Sequence, residues 1–199
     1  LLDFARTHPG FEPRATFYVL REPFGGTVRS PEHLRWLVAN GFELGNHSHD
    51  HTPLETLSPP AVQRQLVAGA RVIEDAVPGY RIKTMALPLG SMPEPARLAV
   101  RGRSGGRSYG LYAVFLVGAN PAPSPYSKQF DRTAIPRIRS SHMPWSSAEE
   151  YTFAYWMRAL EEDPKQRFVS DGEPNTVTVR LGEESAVASR FRKRVTVAG

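Results

Sequence analysis

The sequence predicts an α/β domain built on parallel strands, and three observations carry that expectation. Strand-like and helix-like segments alternate at least four times along the 199 residues, the order that places a crossover helix between neighbouring parallel strands. The run 110–118 is almost unbroken apolar sequence, as a strand buried on both faces of such a sheet requires. The composition, 40% hydrophobic and 23% charged, is that of an ordinary globular chain, with a length that fills one core. A single domain over residues 1–199 is therefore expected, without internal repeats. Periodicity does not separate an open sheet from a closed barrel.

The elements follow in order. Leu1–Arg6 reads as an amphipathic helix closed by Pro9-Gly10; it lacks the charged start and cleavage site of a secretory leader. Ala15–Leu20 is rich in β-branched and aromatic residues and reads as a strand. Ser30-Pro31 opens a helix with an apolar stripe of Leu34, Leu37 and Val38, and Asn40-Gly41 stops it. Ser58-Pro59 starts another, with Val62, Leu66, Ala70, Ile73 and Val77 at helical spacing up to Pro78-Gly79. A short strand, 82–87, leads into Pro88-Leu89-Gly90. Residues 93–100 read as a helix and 101–108 as a flexible Gly/Arg/Ser loop. Beyond a Pro-rich loop at 119–125, Ala134–Ile138 reads as a strand. Ser146 and Glu149 form a capping box for a helix that carries Phe153, Trp156, Met157 and Leu160 on one face. A late strand is expected at Asn175–Val179.

The chemistry concentrates in Phe42–Leu54. Three of the chain's six histidines, His47, His49 and His51, fall there within five residues, directly after a strand-like run. His47 and His51 share one face whether the backbone is helical or extended. Two neutral imidazoles converging in this way suit a divalent cation, zinc above all. A polar surface loop that happens to be histidine-rich is the plainer alternative.

Gly45-Asn46-His47-Ser48-x-x-His51 resembles the second motif of the polysaccharide deacetylases, carbohydrate esterase family four. The resemblance implies a distorted seven-stranded β/α barrel with its site at the carboxyl ends of the strands, zinc held by His47 and His51, and His49 directed elsewhere. It implies hydrolysis of acetyl groups on a polysaccharide or cell-wall glycan, and an extracellular or cell-envelope setting. In that family a metal-activated water attacks the acetamide carbonyl. The family's base and third ligand are two aspartates in a Thr-Phe-Asp-Asp motif on the first strand. That motif is not in this sequence, so the chain is expected to begin after it, without the first barrel strand.

The third family motif, Arg-x-Pro-Tyr/Phe-Gly, corresponds to Ala86-Leu87-Pro88-Leu89-Gly90, which keeps proline and glycine and loses the arginine and the aromatic. Pro88, Leu89 and Gly90, with Tyr126, are the expected substrate contacts. Without that arginine a buried catalytic carboxylate would lack its cation. Arg137, in Ile135-Pro-Arg-Ile138, is the expected substitute, and an outward-facing arginine is the alternative there. The late Leu-x-His motif is also not found, and His142 reads as a loop residue. A carbohydrate-binding domain of the same fold, without catalysis, is the competing function.

Other features bound the function further. There is no cysteine, so neither disulfides nor thiol chemistry enters. No apolar run approaches the ~18 residues a membrane span needs. The net charge of +5 comes largely from 101–107 and 190–194; such runs suit phosphates or an anionic cell-wall polymer, but solvated loops or tails are the commoner explanation, and no nucleic-acid partner is expected. Oligomeric state is not encoded in any recognisable pattern.

Overall fold

The structure is a computed structural model and describes residues 1–138 and 152–198. Two compact units divide it: Leu1–Val117 with Arg132–Ala134, and Gly118–Asp131 with the chain from Ile135 onward.

The first unit opens with α1 (Leu2–Thr7) and is organised around a parallel sheet. Strand β1 (Thr16–Val19) leads through α2 (Ser30–Ala39) to β2 (Glu43–Asn46), then through α3 (Pro59–Ala76) to β3 (Thr84–Ala86). A hairpin of β4 (Arg101–Ser104) and β5 (Arg107–Gly110) follows, and β6 (Ala113–Phe115) completes the sheet in the order β1-β2-β3-β6. All three pairings are parallel. The expected α/β class with parallel neighbours is thus present. The seven-stranded barrel is not: among the described residues β1 and β6 are the edges of an open sheet. Four strands are too few to close around a packed interior.

Helices cover one face of this sheet. Leu34 and Leu37 of α2 and Ile73 and Ala76 of α3 bury Val19, Phe42 and Leu44. Val62, Leu66 and Val67 of α3 meet Met85, Leu87 and Val114 further along. The apolar stripe expected for α3 is the one that packs. Asn40-Gly41 and Gly79 end the two helices as expected, with Gly41 at φ +80° and Gly79 at φ +81°, where a side chain would be strained. Ser30 is the first helical residue rather than a cap, and its hydroxyl donates to the Pro23 carbonyl (2.6 Å).

Three expectations need correction. Residues 93–100 form only a 3₁₀ turn, Ala96–Ala99, which buries Leu98 and Ala99. The supposed flexible loop 101–108 is the β4–β5 hairpin, closed by Gly105 (φ +55°) and Gly106 (φ +77°). Positive φ at both central residues is what a tight two-residue hairpin turn demands. The apolar run 110–118 is therefore shared. Gly110 ends the hairpin, Leu111 donates its amide to the Val100 carbonyl (2.8 Å), and Tyr112 is 73% exposed, so only 113–115 enter the sheet.

In the second unit β7 (Val177–Arg180) pairs in parallel with β8 (Val195–Ala198). α4 (Phe153–Glu162) is capped by Thr152, whose hydroxyl accepts from the Tyr155 amide. The Ser146–Glu149 capping box and His142 lie outside the described residues. Ala134–Ile138 forms no strand, consistent with Pro136, which has no amide to give a ladder. Asp171 accepts from the Glu173 amide (2.9 Å) and from the hydroxyls of Thr176 (2.7 Å) and Thr196 (3.2 Å). These bonds, the Glu173 amide first, hold its carboxyl at about 2, against an ordinary 3.8. A folded value below the unfolded one means stability that is full above pH 3.8 and is lost as pH falls toward 2. Asp171→Asn should flatten the acid limb of a pH–denaturation profile in that window; an unchanged limb would show that these bonds do not contribute.

Candidate metal site

Strand β2 is buried from Leu44 through Asn46, and the chain emerges at His47. The His47 amide continues the ladder to the Val19 carbonyl (3.1 Å). Its ring turns toward β3, with Nδ1 2.7 Å from the Ala86 carbonyl. A carbonyl can only accept, so Nδ1 carries the proton and Nε2 carries the lone pair. That is the tautomer in which an imidazole with a backbone partner binds a cation.

The chain then folds back on itself. Asn46, wholly buried, donates to the Leu66 carbonyl of α3 (2.8 Å) and accepts from the Ser48 amide (2.8 Å). Ser48, also wholly buried, accepts at its hydroxyl from the His51 amide (3.2 Å). Ser48 and His51 stand in the left-handed region, at φ +67° and +58°. Non-glycine residues there cost about 1–3 kcal/mol each and persist only where the surroundings over-determine them. The outcome is that the rings of His47 and His51 lie 4.9 Å apart at 74°.

His49 takes a different direction. Its Nδ1 donates to Asp50 (2.8 Å), which also receives Gln65 Nε2 (2.7 Å) and an Arg21 guanidinium nitrogen (3.2 Å). The Gln65 amide oxygen caps the amides of His49 and Asp50 in turn. The Gln65 hydrogen bond, then that of His49 and the nearby Arg21 charge, hold the Asp50 carboxyl below its ordinary value.

Pro88-Leu89-Gly90 forms a tight turn at the end of β3, with Pro88 buried and Leu89 64% exposed at φ +54°. Just after it, the Ser91 hydroxyl accepts from the Glu55 amide (2.9 Å), tying this turn to the chain beyond His51. Both segments sit at the carboxyl ends of neighbouring parallel strands, where α/β sheets place their sites. A separate cavity of about 490 Å³, lined by Arg14, Thr16, Glu43, Tyr80 and Lys83, lies at the opposite strand ends and has no part in this chemistry.

Tyr126 and Arg137 belong to the second unit. The Tyr126 ring stands edge-on to Phe191 (5.1 Å). The Arg137 backbone packs so closely on Gly118 that a Cβ there would approach its carbonyl oxygen to 2.0 Å.

His47 and His51 thus suit two positions of a cation's shell. Among the described residues no group of three or more histidine, cysteine, aspartate or glutamate side chains surrounds a common point, so the pair supplies half of a tetrahedral set. Sequence reasoning found the pair but not its supports. Asn46 and Gln65 hold the loop through bonds to backbone that no spacing pattern announces.

Residues 11–103 match the family model for polysaccharide deacetylase. Among solved structures, the chain is similar to the peptidoglycan deacetylase PdaC from Bacillus subtilis (31% identity over 48% of this chain and 44% of that one, TM-score 0.40). It is also similar to a CE4 family pseudoenzyme from Bacillus anthracis (27% identity, 49% and 33%, TM-score 0.41). A third is the Xyl-CE4 domain of a multidomain xylanase from the hindgut metagenome of Trinervitermes trinervoides (14% identity, 81% and 75%, TM-score 0.45). The chain spans 44% of the first of these and 33% of the second. The histidine pair falls inside the range that matches the family model.

Proposed function

We propose that this chain is part of a metal-dependent hydrolase that removes acetyl groups from a polysaccharide or cell-wall glycan. The observation that carries this reading is the His47 imidazole, held on the Ala86 carbonyl with His51 4.9 Å away, within the family segment. A zinc ion, when bound, supplies Lewis acidity toward the acetyl carbonyl and lowers the pKa of water. His47 and His51 would hold it. The Ala86 carbonyl fixes the tautomer of His47, the Ser48 hydroxyl fixes the backbone of His51, and the Pro88-Leu89-Gly90 turn and Tyr126 are the proposed glycan contacts. A cell-envelope or extracellular setting follows from the substrate class.

Zinc titration by calorimetry tests this reading. His47→Ala and His51→Ala should each weaken zinc by at least about tenfold, and unchanged affinity in both would end the assignment. For Arg137 the proposed role is supply of the missing cation, read on activity. In a protein extended to include the first strand with its two aspartates, Arg137→Ala should cut deacetylation by a hundredfold or more with zinc affinity retained; a loss within about twofold, less than roughly 0.4 kcal/mol of transition-state stabilisation, would remove it from the mechanism.

One observation favours a second reading, a glycan-binding domain without catalysis. Neither an arginine nor an aromatic stands at Ala86 and Leu89, and no third ligand joins the pair among the described residues. Binding of acetylated glycan oligomers without turnover, in protein loaded with zinc, would select it.

A further inference from the structure

The sheet face turned away from α2 and α3 carries side chains in three rows set by the strand register. Thr16 of β1 lies opposite Glu43 of β2, and Tyr18 opposite Gly45. Thr84 and Ala113 continue the Tyr18 row, and Ala86 and Phe115 form the row above, at the level of His47. Tyr18 does not stand up from its strand. It lies across Gly45, and its hydroxyl donates to the Thr84 hydroxyl on β3 (3.4 Å). Thr84 donates to one oxygen of Glu43 (3.2 Å), and Thr16 donates to the other (3.1 Å). The tyrosine ring centroid is then 6.4 Å from that of His47 and 6.0 Å from that of Phe115, tilted 55° to both.

Gly45 is a requirement of this arrangement. A Cβ at that position would sit 2.4 and 2.5 Å from two ring carbons of Tyr18. Both sides of the contact are constrained, because Gly45 is ladder backbone and the ring is tied at its far end to Thr84.

The Nδ1–H tautomer of His47 lasts only while the hydrogen bond to the Ala86 carbonyl does, and rocking of the ring about its Cβ–Cγ bond would break it. A flat aromatic surface in the row beneath limits that motion. We propose that Tyr18 is a positioning residue for His47: its ring, laid over Gly45 and anchored through Thr84 to Glu43, closes the underside of the imidazole and holds it on the Ala86 carbonyl. The consequence for zinc rests on the reading of His47 as a ligand; the consequence for ring orientation does not.

Two measurements on the purified chain separate these. The first is imidazole NMR of the metal-free protein, which reads the His47 tautomer. The second is zinc calorimetry at a temperature where circular dichroism shows each variant folded. Tyr18→Ala should erase the single Nδ1–H signature of His47 and weaken zinc by about tenfold or more, the range found when supports of metal-ligating histidines are removed. Gly45→Ala, which keeps the tyrosine but displaces its ring, should do the same. The double variant should be no weaker than either single one, because both remove one contact. Tyr18→Phe, which keeps the ring but loses its anchor on Thr84, should lie between the parent and Tyr18→Ala on both readouts.

A His47 signature and a zinc affinity both unchanged in Tyr18→Ala and Gly45→Ala would overturn the proposal, whatever happens to the melting temperature. Should those two variants not fold, Thr84→Val decides: it removes only the anchoring hydroxyl, and an unaltered signature and affinity there overturn the proposal equally. If His47→Ala leaves zinc binding intact, the ligand reading fails while the NMR comparison still decides the role of Tyr18. If His47→Ala abolishes binding and the Tyr18 and Gly45 variants preserve it, the positioning role alone is wrong.

Discussion

Gly69→Ala should destabilise the first unit by about 2–3 kcal/mol, the cost of overpacking a close contact. Helix propensity alone gives the opposite sign, because alanine in a helix interior is favoured over glycine by about 1 kcal/mol. The structure decides between them. A Cβ on Gly69 would come within 2.5 Å of the Ser48 carbonyl oxygen and 2.7 Å of Asn46 Oδ1. Neither can retreat cheaply: the first is buried backbone, and the second is held by the Ser48 amide. Relief requires α3 to lift from the loop that carries His47 and His51. Thermal denaturation should show a fall of about 5–10 °C for a domain of this size, with weakened zinc binding alongside. A melting temperature equal to or above the parent's would mean that α3 does not press on this loop.

The second large effect belongs to Asn46. Asn46→Ala removes the bond to the Leu66 carbonyl and leaves the Ser48 amide without its acceptor in a wholly buried position. Each stranded buried group costs about 1–3 kcal/mol, so a loss near 3 kcal/mol in urea denaturation is expected. Ser48 then loses the bond that holds it in the left-handed region, the turn that leads to His51 loosens, and zinc affinity should fall in parallel. Asn46→Asp tests the donor separately. It keeps an acceptor for Ser48 but points an oxygen at the Leu66 carbonyl, so it should not rescue. Full stability in Asn46→Asp would show that the bond to α3 is dispensable.

These two positions also mark where the sequence stopped being informative. The strands at Thr16–Val19, Glu43–Asn46 and Thr84–Ala86 and the helices between them were legible, because each carries its own period and its own stop signal. The nearness of His47 and His51 was legible because positions four apart after a buried strand fall on one face. Gly69 was not: it sits among the apolar positions of α3, and nothing local says that another segment's backbone will rest on it. The hairpin at Arg101–Gly110 was misread for a related reason. Gly105-Gly106 is a strong turn signal, but the arginines and serines around it lack the apolar alternation that usually accompanies one. Its exposed strands satisfy their backbone without burying much else, so composition alone makes them look like loop. Tyr18 reads as one more aromatic in a strand, and only the register shows it lying over Gly45.

The left-handed conformations at Ser48 and His51 bear on whether this site can be moved. A hexapeptide copied from Asn46–His51 into another protein would carry both histidines and the serine, yet it would not carry the geometry. The backbone of that segment runs against its own preferences at two positions; its internal bonds from Asn46 and Ser48 are set in turn by groups elsewhere in the chain, the Leu66 carbonyl, the Gln65 amide and the bare backbone of Gly69. The unit of inheritance is the loop together with one face of α3. A designer grafting this pair, or a lineage shuffling it, must transfer the helix as well, or the two imidazoles will relax apart.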